Sequence, residues 1–109
     1  MWTERVDKKY KPLVDALVNN CDWSWTSTAM LINGQPLTAS HIADYQVFIL
    51  CKLITGDLKV DSETKRLRLS PTEQIDEVWH QHLLRPVSYY EMCRKLHEAK
   101  QRLELKEED

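Results

Sequence analysis

Residues 70–86 read SPTEQIDEVWHQHLLRP, and they carry the strongest structural signal in the chain. Ser70, Pro71 and Glu73 are typical of a capped helix start, with serine as the N-cap, proline at the first helical position and glutamate at the third. Pro86 indicates that the helix ends about two residues before it. The segment is therefore predicted to be an amphipathic helix. Its inward face follows the i, i+3, i+4, i+7, i+8 spacing and comprises Ile75, Val78, Trp79, His82 and Leu83.

Upstream of this segment the sequence predicts two further helices. The first covers about residues 8–20, and its start lies nearer to Lys11 because Pro12 is tolerated only in an opening turn. The second follows residue 37, with either Thr38 or Ser40 as its N-cap. Its apolar residues occur on several sides, which predicts the most buried helix of the chain.

A fourth helix is predicted after Pro86, with Ser88 as the N-cap and Glu91 as its capping partner. Residues 104–109 are expected to fray. Four helices joined by short local connections predict an all-α fold, a compact bundle of about four helices. The buried stripe of the fourth helix is predicted to comprise Tyr89, Met92, Cys93, Leu96 and Leu103.

Two connections leave room for a short β-hairpin. In residues 21–37 the pair Asn33-Gly34 is a strong two-residue hairpin signal. The interpretation we favour there is an irregular connection whose two tryptophans fill the core. Residues 57–69 are either a small hairpin or a loop held by its leucines.

The composition fits a single domain over residues 1–109. Its 15 Lys+Arg against 17 Asp+Glu give a net charge of −2, which argues against a nucleic-acid binder held mainly by phosphate contacts. The longest apolar run, residues 47–51, is far shorter than the about twenty residues of a membrane span. No apolar leader is visible in the first residues, and three widely spaced cysteines do not suggest a disulfide framework. We therefore expect a cytoplasmic domain without a membrane segment.

The signature region, residues 70–93, has a distinctive pattern. It resembles the D-x-x-W-H-x-H…P-x-x-x-Y-x-x-C signature of the glycine-rich domain-containing proteins, a family also described as a domain of unknown function. The likeness covers roughly residues 40–95, and this chain lacks a glycine-rich tail and a second copy of the motif. The resemblance implies a domain type and no particular activity. The positions that match are Asp76, Trp79, His80, His82, Pro86, Tyr90 and Cys93.

Helical geometry separates the two histidines of this pattern. Successive residues turn by about 100°, so His80 and His82 point about 200° apart and cannot bind one metal ion together. His82 shares the apolar stripe and is predicted to be a core residue with hydrogen-bonded ring nitrogens. His80 lies one turn after Asp76 on the polar face, where the carboxylate can orient its ring.

A metal site is the alternative role for the downstream residues. Cys93 and His97 are spaced i, i+4 on the fourth helix, and His82 could supply a third ligand if that helix packs against the third. This spacing motivates the hypothesis of a zinc-type site. In the other interpretation Cys93 is a small buried residue and His97 lies at the surface. A Cys93–His82 catalytic pair would need an exposed thiolate in a cleft, and we lean against an enzyme.

The absence of two common sequence motifs reduces the number of functional classes to consider. The sequence has no phosphate-binding glycine loop and no nucleophile-elbow motif. The favoured function is a protein-interaction module with an unidentified protein partner, in which the Trp-His-x-His motif is structural. A metal-binding or metal-dependent protein comes second. An RNA-associated module comes third, through the basic cluster Lys65, Arg66 and Arg68.

The structural part of this prediction concerns packing. Trp79 and His82 should be buried against Tyr45 and Phe48 of the second helix. Tyr90 and Cys93 should close the other side.

Overall fold

A computed structural model describes residues 2–26, 30–55 and 71–107. Short 3₁₀ helices at Trp2–Arg5 and Lys8–Tyr10 precede the first α-helix. The predicted all-α bundle with a short β-hairpin is confirmed. Its α-helices are α1 (Lys11–Val18), α2 (Ala39–Thr55), α3 (Glu73–Leu83) and α4 (Pro86–Glu107), and its strands are β1 (Leu31–Ile32) and β2 (Gln35–Pro36).

The helix starts follow from capping residues. Thr38 caps α2, because its hydroxyl accepts a hydrogen bond from the His41 backbone N–H at 3.3 Å. In return, the His41 ring accepts from the Thr38 backbone N–H at 3.0 Å. The 3₁₀ turn at Lys8–Tyr10 leads into α1 at Lys11, which is the later of the predicted starts.

The predicted cap of α3 is wrong. Its N-cap is Thr72, whose hydroxyl accepts from the Ile75 backbone N–H at 3.2 Å, and Ser70 lies outside the described residues. Both hydroxyl residues satisfy the local capping rule, so the sequence alone does not decide between them. Glu73 is consequently the first helical residue, where its negative charge interacts favourably with the positive end of the helix dipole.

The predicted start of α4 is also wrong. Pro86 is its first residue, a position at which proline needs no hydrogen-bond partner. Ser88 therefore lies inside the first turn and is not the cap. At the other end the helix continues through residue 107, where Glu, Lys and Leu are good helix formers and Leu103 packs against the core. The expected fraying of residues 104–109 stays a prediction.

Two apolar clusters make up the core. In the first, α1 packs against α4, with a contribution from Leu50 of α2. The second joins the hairpin to α2 and α3 through Ile32, Leu37, Tyr45 and Val78. No helix in the described ranges is long and apolar enough to cross a membrane.

The hairpin corrects the interpretation favoured for residues 30–37. Asn33 and Gly34 have φ angles of 51° and 81°, as a two-residue turn with a left-handed backbone requires. The turn pairs Leu31 with Pro36 and Ile32 with Gln35. The tryptophans upstream still pack against the core as predicted.

Replacing Gly34 by Ala should destabilise the protein by about 1–2 kcal/mol, because an alanine is strained at φ +81°. A Cβ at this site would meet no atom within 4 Å, so the backbone alone determines the cost. Urea denaturation measures the change. Asn33→Gly is the control and should change stability by less than 0.5 kcal/mol, on the order of a neutral surface substitution. Equal stability of Gly34→Ala and the wild type would contradict the turn geometry.

Candidate functional site

His82 lies at the centre of a box of aromatic rings. Its side chain is 1% exposed. The Trp25 ring stacks on it with centroids 4.6 Å apart, and the Tyr89 ring meets it edge-on at 5.2 Å. Trp23 and Tyr45 complete the box, each with its ring centroid 5.7 Å from that of His82. The prediction of His82 as a core histidine is confirmed, and we call these four rings the aromatic box.

Both ring nitrogens of His82 have hydrogen-bond partners. Nδ1 lies 2.8 Å from the Tyr45 hydroxyl, and Nε2 lies 3.4 Å from the Ser88 hydroxyl. The Ser88 hydroxyl donates to the Asp22 carbonyl at 3.3 Å. Since the serine proton is used there, the pattern assigns the Nε2–H tautomer: Tyr45 donates to Nδ1 and Nε2–H donates to Ser88. The chain of bonds links α2, α3, α4 and the segment before the hairpin.

The electrostatics match this neutral network. Burial lowers the pKa of His82 to about 4, and the nearby Arg85 charge lowers it further. Burial raises the pKa of Tyr45, and the neighbouring Tyr89 and Cys93 add to that rise. At neutral pH the imidazole is therefore an uncharged acceptor and the phenol a protonated donor.

Trp79 and the polar pair lie outside the box. The Trp79 indole is half-buried, and its Nε1 donates to the Tyr89 hydroxyl at 3.4 Å. On the solvent-exposed side of α3, His80 Nε2 lies 3.7 Å from Asp76 Oδ2, which is the predicted i, i+4 contact. Both side chains of that pair are solvent-accessible, so the contact contributes little to stability.

The predicted packing of Tyr90 and Cys93 is wrong. Tyr90 is 65% exposed, and Cys93 is also exposed. The inward face of α4 passes through the buried Met92 and the half-buried Ser88 and Tyr89. Tyr89, Met92 and Leu96 follow the i, i+3, i+7 spacing, and this spacing is the sequence signal that identifies Tyr89 as an inward-facing residue.

A groove lies between α2 and α4, and we call it the α2–α4 groove. Its volume is about 710 Å³. Partial desolvation raises the pKa of the Cys93 thiol at its edge, although a hydrogen bond with Tyr89 lowers it, so the thiol is not activated as a nucleophile. The main apolar walls are Phe48, Leu53, Trp79, Tyr89, Met92 and Leu96.

The three residues predicted as zinc ligands are not brought together. His82 directs its nitrogens to Tyr45 and Ser88, whereas Cys93 and His97 line the α2–α4 groove. Within residues 2–26, 30–55 and 71–107, no three His, Cys, Asp or Glu side chains are grouped to hold a metal ion. The zinc site stays a prediction. Lys65, Arg66 and Arg68, predicted to contact RNA, lie outside the described residues.

No family model, curated protein or solved structure matches the chain. The resemblance to the glycine-rich domain-containing proteins therefore stays a prediction. The geometry of the described residues is what supports a function.

Replacing Tyr45 by Phe should destabilise the protein by about 1–3 kcal/mol, because it leaves His82 Nδ1 buried without a donor. Chemical denaturation at pH 7 measures the loss. Tyr90→Phe removes the same atom from an exposed ring and should change stability by less than about 0.5 kcal/mol. Similar effects of the two variants would exclude a stabilising role for the buried bond.

Acid should destabilise the fold through His82. Its pKa is about 4 in the folded chain and 6.5 ordinarily, so the unfolded state takes up the proton first as the pH falls. The stability supplied by the neutral ring is complete above about pH 6.5 and is lost progressively down to pH 4, by roughly 3 kcal/mol. Urea unfolding between pH 4 and pH 7.5 measures this slope, and His82→Asn should flatten it. An NMR titration midpoint for His82 at or above its ordinary value would refute the assignment.

Proposed function

We propose that the chain is a protein-interaction module and that the turn between α3 and α4 contacts the partner. Leu83, Leu84, Val87 and Tyr90 are 41%, 71%, 77% and 65% exposed, and we call them the apolar corner. They lie within eight consecutive residues. Exposed apolar patches mark interaction sites on soluble proteins, and these four residues cluster along the chain at one turn. This exposure is the observation that carries the proposal.

The apolar corner stands on a firmly held turn. Arg85 Nη1 donates to the Gln81 carbonyl at 2.7 Å, and its guanidinium carbon lies 5.5 Å from the Trp25 ring centroid. On the other side of Pro86, Ser88 is bonded to both His82 and the Asp22 carbonyl. A turn ordered before binding loses less conformational entropy when a partner docks. In this proposal the Trp-His-x-His motif is structural and supports the contact surface.

The size of the apolar corner favours a transient complex over a permanent one. A stable interface buries about 800 Å² and about 20–30 residues on each partner, whereas the apolar corner offers four apolar residues. Such a patch suits the centre of a transient complex, where tyrosine is enriched among the residues that carry the binding energy. The partner is therefore expected to present a small complementary apolar surface.

We place this module in the cytoplasm. Cys21, Cys51 and Cys93 are all free thiols, and free thiols fit a reducing compartment.

The double substitution Leu84→Glu/Val87→Glu tests the contact surface. Partners captured by the wild type are identified, purified and titrated calorimetrically against the wild type and the variants. The double variant should bind at least about 30-fold more weakly, since charges would replace the centre of the interface. Leu31→Glu is the control because Leu31, on β1, is 60% exposed; its affinity should stay within about threefold of the wild type.

Two results would contradict this assignment. One is a folded double variant, verified by circular dichroism, that binds the purified partner as tightly as the wild type. The other is dimerisation of the pure chain in sedimentation experiments that the same double substitution abolishes, since it would assign the apolar corner to self-association.

A further inference from the structure

A single positively charged side chain adjoins the apolar corner. Arg85 directly follows Leu84 in the turn, and its Nη1 donates to the Gln81 carbonyl at 2.7 Å. Leu84 keeps a helical backbone conformation and comes three residues after Gln81, and residues three apart are neighbours on a helix surface. The half-buried guanidinium of Arg85 therefore lies beside the apolar surface that the partner is proposed to contact.

The charge of Arg85 has no carboxylate partner in residues 2–26, 30–55 and 71–107. On α3 and α4, ion pairs join His80 to Asp76 and Arg94 to both Glu91 and Glu98. Glu77 Oε1 accepts from the Gln81 amide at 3.5 Å, and Gln81 Oε1 lies 3.5 Å from Arg85 Nη1, so an uncharged amide separates Glu77 from the guanidinium. Within the described ranges the Nε and Nη2 groups of Arg85 make no hydrogen bond, which leaves that edge uncommitted.

The guanidinium is held in place before any partner binds. Its central carbon lies 5.5 Å from the Trp25 ring centroid, and the Trp25 ring is stacked on His82. A side chain that is ordered in advance loses less conformational entropy on binding, and a planar guanidinium matches the two oxygens of a carboxylate. The first turn of α4 contains no acidic residue, so the positive end of its dipole adds to the attraction for a negative group.

We propose that the apolar corner and Arg85 bind an acidic, apolar segment of the partner protein, with an aspartate or glutamate carboxylate on Arg85 and apolar side chains on Leu84 and Val87. This names the chemistry of the partner and rests on the proposed function of the apolar corner. A phosphorylated segment fits less well, because a phosphate group carries about two negative charges and is bound by clusters of arginines. Arg85 is one cation beside four exposed apolar residues, which matches a single carboxylate.

A lipid surface is the other occupant that exposed leucines next to an arginine can contact. Recognition of anionic lipids uses clusters of about four to eight Lys/Arg residues. The stretch from Leu83 to Tyr90 contains one basic residue, Arg85, and the whole chain has a net charge of −2. The charge balance therefore favours a protein segment over a membrane.

Selection of random heptapeptides displayed on phage, with the full chain immobilised, tests the acidic preference. The wild type should enrich peptides in which aspartate or glutamate lies next to apolar residues. Arg85→Glu should reverse this preference to lysine and arginine, while the apolar residues are retained. Arg102→Glu is the matched control, because it makes the same charge change at an exposed residue of α4 about 24 Å along the helix from Pro86; it should keep the wild-type preference.

Calorimetric titration with the most enriched peptide measures the contribution of the charge. Arg85→Gln removes the charge but keeps a polar side chain, and it replaces Arg85→Glu if that variant does not fold. It should weaken binding by about tenfold, because a hydrogen bond between charged groups is lost. Replacing the acidic residue of the peptide by its amide should weaken binding to the wild type by a similar factor. The two changes together should weaken it little further, since the two groups contact each other.

The thermal unfolding midpoint of each variant shows whether it is folded. The proposal is overturned if no peptide is enriched, if the enriched peptides show no acidic preference, if Arg85→Glu selects the same peptides as the wild type, or if the effects of the two changes simply add. If no peptide is enriched and the chain sediments with phosphatidylserine vesicles, the surface is assigned to a membrane instead.

Failure of this proposal is distinguishable from failure of the proposed function. Enriched peptides without an acidic preference that lose binding to Leu84→Glu/Val87→Glu would overturn the role of Arg85 and still support the apolar corner as the contact surface. Peptide binding that the same double substitution leaves unchanged would contradict the apolar corner itself.

Discussion

The buried hydrogen bond between the Tyr45 hydroxyl and His82 Nδ1, 2.8 Å long, is the constraint on which the rest of the structure depends. An imidazole that is 1% exposed must satisfy two nitrogens inside the protein, because each unpaired buried polar group costs about 1–3 kcal/mol. Tyr45 satisfies one nitrogen, and Ser88 satisfies the other while bonding to the Asp22 carbonyl. Three stretches distant in sequence, around residues 22, 45 and 82–88, must therefore meet in one register.

The two core clusters constrain the packing of the helices to different degrees. The α1–α4 cluster is built from aliphatic side chains and methionine, and such packing tolerates substitutions that conserve volume. The region around His82 combines rings with directional hydrogen bonds and therefore fixes helix rotation as well as distance. Tyr45 and Tyr89 both contact the His82 ring, and both also line the α2–α4 groove. His82 thus helps to position two walls of the α2–α4 groove, although it does not line the groove itself.

Helical periodicity predicted the four helices and placed His82 in the core, because both depend on local spacing. Cap positions and the start of α4 were harder to predict. Thr72 and Ser70 are equivalent by the local rule, so only the folded chain shows that Thr72 is the cap. Periodicity placed Tyr89 and Met92 on the inward stripe of α4, but it did not show that α4 starts at Pro86 or that Cys93 is exposed. The partners of His82 could not be derived from spacing, since the bond between Ser88 and Asp22 spans 66 residues and exists only in the folded chain.

The apolar corner and the α2–α4 groove share α4 but occupy different faces of it. At about 100° per residue, Val87 and Tyr90 point about 60° apart on one side of the helix. Cys93 and Lys100 lie about 20° apart, and their mean direction is about 100° from that of the first pair. A protein docked on the apolar corner would therefore not cover the groove. Tyr89, which lines the groove, directly precedes Tyr90 of the apolar corner, so the rotation of α4 separates the two surfaces, and not distance along the chain.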